Sequence, residues 1–98
     1  MVVKPPSQSK DTTVKIKMVI TGRQIAAARE LIRMTQADLA VAAGVGENTV
    51  YRVETSETAA RAGTLEKLTR ALELRGIEFL NGGEPGVRLR PSKAVIPV

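Results

Sequence analysis

The chain has no cysteine and no histidine. Disulfides, thiolate nucleophiles, zinc fingers and histidine acid–base catalysis are therefore excluded together. Nothing in it requires an oxidising compartment. Aromatics are almost missing too, since Tyr51 and Phe79 are the only two in 98 residues. A core without aromatics must be assembled from Ala, Leu, Ile and Val, which suits a small helical bundle. No apolar run approaches the ~20 residues that span a bilayer. The opening residues, MVVKPPSQSK, place Pro and polar side chains where a signal peptide would be apolar. A soluble, cytoplasmic protein is the expectation. Carboxylate pairs and phosphate-binding glycine loops are also missing in any recognisable setting, so neither an enzyme nor a bound cofactor or metal is expected.

What is present is a moderate excess of basic charge, net +5 with an isoelectric point near 10.1. Its distribution matters more than its total. Residues 1–20 carry Lys4, Lys10, Lys15 and Lys17 against Asp11. Residues 21–76 carry eight basic side chains against seven acidic ones, and residues 77–98 carry three against two. The middle of the chain is nearly neutral. Bulk attraction thus gives little support for a nucleic-acid partner, and the weight falls on motifs.

Residues 1–17 read as a flexible basic tail, with two prolines and little to bury. Val14, Ile16, Met18 and Ile20 alternate with Lys15, Lys17 and Val19, a period of two that fits either a strand or an extended basic tail. A first helix should start at Thr21, where Thr21 and Gln24 form a Thr-x-x-Gln capping box. Ile25, Ala28 and Ile32 lie on one stripe, and the helix should end near Met34. Thr35 caps a second helix, with Asp38 at its positive terminus and Leu39, Ala40 and Ala43 facing inward. Gly44 should end it in the left-handed conformation. A third helix over residues 46–55 follows, with Gly46 as N-cap and Val50 and Val53 as its inward pair. Glu47, Asn48, Thr49 and Arg52 then face outward.

Residues 56–63 read as a loop, and a fourth helix should begin near Thr64. Its inward residues are Leu65, Leu68, Ala71 and Leu72, and it should stop at Gly76. Beyond it, Ile77 to Leu80 and Val87 to Arg90 flank the turn-rich NGGEPG, which predicts a β-hairpin over residues 77–90, the competing reading being a fifth helix from Ile77 that the Gly and Pro cluster would cut short. Residues 91–98 contain two prolines and read as a flexible tail. Two short helices joined at a tight glycine turn, with small residues where they meet, suit a helix-turn-helix.

Residues 18–76 resemble the lambda-repressor-like DNA-binding domain, the Cro-type or xenobiotic-response-element family. The matching residues are Arg29, Thr35-Gln36, Leu39-Ala40, Gly44-Val45, Thr49-Val50 and Val53-Glu54. The resemblance implies a mainly α fold: a four-to-five-helix bundle with a helix-turn-helix, followed here by the short C-terminal hairpin. It implies a structural ion pair between Arg29 and Glu54, tying the first helix to the end of the third. It also implies DNA-binding roles for Gln36, Glu47, Asn48, Thr49 and Arg52. Gln36 would grip a phosphate at the start of the second helix. Asn48 suits bidentate bonding to adenine and Arg52 to guanine, while Thr49 can touch a phosphate or a thymine methyl. Glu47 would accept from cytosine N4 or stand off the groove, a departure from the neutral side chain common there. The family usually has Gly just after the position of Glu54, whereas Thr55 and Ser56 follow here. Arg23, Arg33, Arg61 and Lys67 read as solvated surface.

The function so implied is a sequence-specific transcriptional regulator, a repressor, binding a two-fold operator in double-stranded DNA as a homodimer. The hairpin is the candidate interface, because an open strand edge invites pairing. The competing reading is an antitoxin-type protein that binds a toxin or other protein partner through a flexible tail and also binds its own promoter.

Overall fold

The computed structural model describes residues 20–56 and 60–97. The tail expected over residues 1–17, and all but Ile20 of the strand considered over residues 14–20, lie outside the described residues. Among the described residues four α-helices come first: α1 (Gly22–Leu31), α2 (Gln36–Ala43), α3 (Glu47–Thr55) and α4 (Ala62–Glu73). The antiparallel hairpin of β1 (Ile77–Leu80) and β2 (Gly86–Leu89) follows, and Pro91–Lys93 closes the fold with a 3-10 turn.

Local chemistry accounts for most of the boundaries. Thr21 Oγ1 accepts from the Gln24 amide at 3.2 Å, while Gln24 Oε1 accepts from the Thr21 amide at 2.9 Å, a reciprocal capping box. Thr35 and Asp38 form a second box at the start of α2, at 2.9 and 3.0 Å. Hydrogen bonding from Thr35 to the Asp38 carboxylate, the backbone amide first and the side chain second, holds that carboxyl below the usual range. Gly44 ends α2 with φ +73°, left-handed as expected.

Two helix boundaries differ from expectation. α1 ends at Leu31, not near Met34. Arg33 takes φ +60°, its amide donates to Glu30 O at 3.0 Å, and the Met34 amide donates to Arg29 O at 2.9 Å. This is a Schellman ending with arginine where glycine is usual, which is why the residues themselves gave no stop signal. α4 begins at Ala62, two residues before Thr64, with no side-chain cap on its first turn.

One stripe from each helix builds the core. Ile25 and Ala28 come from α1, Leu39 and Ala40 from α2, Val50 and Val53 from α3, and Leu68, Ala71 and Leu72 from α4. Ile77 of β1 joins them, and Ile20, Phe79, Val87 and Leu89 pack against its edge. α3 lies between α1 and α2, and the hairpin rests on α1 through β2. The strand register pairs Ile77 with Leu89 and Phe79 with Val87, so one face of the hairpin turns inward. On the other face Glu78 pairs with Arg88 at 2.9 Å and Arg90 at 3.3 Å, and the Arg88 hydrogen bond leads in holding its carboxyl below the usual range.

Two contacts have no counterpart in the sequence reading. Gln24 is a buried polar residue, and after capping α1 its Nε2 still points at the hairpin. It donates toward Gly86 O and Asn81 Oδ1, each at 3.0 Å, and Leu80 O at 3.2 Å. The second contact is the terminal segment, expected as a loose tail over residues 91–98. Instead the Val95 and Ile96 amides donate to Leu74 O at 2.7 and 2.9 Å, covering a carbonyl that the end of α4 leaves without a helical partner.

Candidate nucleic-acid interface

The helix-turn-helix is α2, the turn at Gly44 to Gly46, and α3. Val50 and Val53 bury one side of α3. At ~100° per residue, the opposite side must carry Asn48, Tyr51, Arg52 and Thr55, with Glu47 on its flank. All five are exposed, and Thr49 is half-buried. Of the five residues expected to touch DNA, four therefore lie along α3, and Glu47, Asn48 and Arg52 are open to solvent. Gly46 supplies no side-chain cap, so the first turn of α3 also presents backbone N–H groups.

Gln36 is placed differently from the expected phosphate clamp. It is half-buried at the start of α2, and its Nε2 donates to Glu54 Oε1 at 2.9 Å. One of its two amide hydrogens is thus committed to the protein.

The same carboxylate anchors the far end of α3. Arg29 donates from Nε to Glu54 Oε2 at 2.8 Å and from a terminal nitrogen to Glu54 Oε1 at 3.1 Å, a bidentate pair. Its other terminal nitrogen donates to Met34 O at 2.8 Å, within the Schellman ending of α1. The Arg29 and Glu54 side chains keep 12% and 5% of their surface exposed. The Glu54 hydrogen bond leads in raising the guanidinium pKa, so its charge is permanent. Both charges are hydrogen-bonded, and no buried side-chain polar atom among the described residues lacks a partner. The cluster fixes the end of α3 to α1 and the start of α2.

A close backbone contact secures the same junction. A Cβ on Gly22 would overlap the Val53 carbonyl oxygen. Only glycine lets the first turn of α1 rest on the last turn of α3. Gly22 and Tyr51 do not stand out in the sequence, and Gln24 does so only as a helix cap. The period of α3 does signal Tyr51, since it shares the outward stripe with Asn48 and Thr55. Nothing local signals Gly22, whose role depends on a residue 31 positions away.

Among the described residues no helix is long and apolar enough to cross a membrane. A search of curated proteins finds no match. A helix-turn-helix family model matches residues 25–79, more than half of the chain and all of the α2–α3 unit. The matched span includes Arg29, Gln36, the outward face of α3 and Glu54, and the chain belongs to the lambda-repressor-like helix-turn-helix family of DNA-binding transcription regulators.

Proposed function

We propose that this regulator is a repressor that acts as a homodimer on a two-fold-related operator, with α3 of each copy in a major groove. The observation that carries the reading is the division of α3. Its inner side is locked by Val50, Val53 and the Arg29–Glu54 pair, while Asn48 and Arg52 stand exposed on its outer side. A rigid helix presenting an amide and a guanidinium has the two side chains best suited to bidentate bonds with adenine and guanine. The near-neutral charge of residues 21–76 leaves little for non-specific attraction, so placed contacts must supply the discrimination.

Two copies would set their recognition helices about 34 Å apart, one turn of DNA. The hairpin is the proposed contact between them. It is a two-stranded sheet, and no other described strand pairs with either of its edges. A repressor of this kind works by occupying promoter DNA.

The test is binding to the DNA beside its own gene across a salt series. Affinity should fall steeply with salt, since several phosphates are contacted. The best fragment should exceed random DNA by ~10³ or more. A margin below about tenfold removes the sequence-specific reading. Arg52→Ala should lose ~1–3 kcal/mol on the best site and relax preference at one base. A chain that sediments as a monomer both free and on DNA removes the dimer. The antitoxin reading draws on exposed Val95 and Ile96, 74% and 38% accessible, which offer a protein partner an apolar edge. A toxin co-purifying with the chain would decide for it.

A further inference from the structure

We propose that Tyr51 is a specificity-determining residue of α3, whose ring reads the 5-methyl group of a thymine in the major groove. The inference rests on the DNA-reading role of α3 and goes beyond it to one base. In a chain with two aromatics, one, Phe79, packs against the core. The other, Tyr51, leaves 57% of its surface in solvent on the outward stripe of α3. No described residue hydrogen-bonds its hydroxyl. The neighbouring Thr55 hydroxyl instead donates back to the Tyr51 carbonyl at 2.8 Å, so it is spent on the helix backbone and not on the ring.

The neighbours on the stripe decide what the ring can meet. Glu47 lies one turn before Tyr51, and its carboxylate repels phosphates along that side of the helix. A backbone contact is thereby disfavoured there, and a base edge is left. Asn48 and Arg52 supply donors for purines but no apolar surface. Among the four base pairs, only thymine offers an apolar group to the major groove. Tyr51 is the large apolar surface exposed on this stripe, so it complements the one feature that Asn48 and Arg52 cannot read.

The experiment uses the full chain and its preferred site, selected from a randomised duplex pool. Each thymine in the site is then replaced in turn by deoxyuridine, which removes the methyl and changes nothing else in the base. The expected result is one position per half-site at which uracil weakens the wild-type protein about fourfold, the effect of withdrawing one methyl from a buried contact. Tyr51→Ala should bind the thymine and uracil duplexes equally, and Tyr51→Phe should keep the wild-type difference. The proposal is overturned if no thymine shows the effect, if Tyr51→Ala retains it, or if Tyr51→Phe loses it. It is also overturned if Tyr51→Ala sediments as a smaller species than wild type, which would make the ring a contact between copies. A pool that yields no preferred sequence would instead bring down the underlying reading of α3.

Discussion

Glu54→Ala should come close to unfolding the domain. The substitution leaves the Arg29 guanidinium with 12% of its surface exposed and no opposite charge inside the fold. It also strips Gln36 of its acceptor. Glu30 remains beside Arg29 at 3.5 Å, but its side chain is 74% exposed and too well solvated to compensate. Breaking a buried pair from one side costs ~3–5 kcal/mol. A domain of this size has roughly 5–15 kcal/mol of stability in all. With about 4–8 °C lost per kcal/mol, the midpoint of a thermal melt followed by circular dichroism should fall by roughly 12–40 °C. The double variant Arg29→Met with Glu54→Leu separates an unpaired charge from lost packing. It should recover much of the stability of Glu54→Ala, because no charge is left stranded. A loss below about 1 kcal/mol for Glu54→Ala, as exposed pairs show, would refute the claim that this pair locks α3 in place.

Gly22→Ala should cost ~1–3 kcal/mol by forcing α1 away from the Val53 carbonyl, and an unchanged melting midpoint would disprove the close contact. Gln24→Leu leaves Leu80 O and Gly86 O without their shared donor. It should cost ~1–3 kcal/mol and speed amide hydrogen exchange in β1 and β2 more than in α2; uniform exchange would count against Gln24 as the pin. Asp38 and Glu78 both have carboxyl pKa values lowered in the folded chain, by hydrogen bonds from Thr35 and from Arg88 respectively. Their contribution is therefore fully present above the ordinary carboxylate range and is lost as pH falls through the lowered values. In urea titrations, Asp38→Asn with Glu78→Gln should flatten the loss of stability below about pH 4.5, and an unaltered slope would exclude both groups.

Much of the fold was legible because it is written in local chemistry. The Thr21–Gln24 box, the Thr35 cap, Gly44 and the NGGEPG turn each act within a few residues of themselves. The inward stripes of the helices follow from a period that packing cannot ignore. The end of α1 was not legible, because Arg33 occupies a left-handed position through tertiary support from Met34 O and Arg29, not through its own preference. The order of the terminal segment is not legible for a related reason. Its order comes from Leu74 O, a carbonyl distant in sequence that needed covering. The outward face of α3 could be read down to Asn48 and Arg52. Gln36, by contrast, is legible only as a helix-start residue, because its bond to Glu54 depends on how α2 and α3 cross.

Gln24 has a consequence for how two copies would measure DNA. Its amide grips the hairpin, its capping bonds hold Thr21, and the intervening Gly22 sits on the end of α3. Four consecutive residues thus form a rigid bracket between the surface proposed for pairing and the helix proposed for reading. In a dimer joined at the hairpin, this bracket acts as a ruler: it sets the distance and tilt between the two recognition helices, and so the number of base pairs between half-sites. Loosening it at Gln24 would leave every base contact intact yet let the protein accept operators of several spacings.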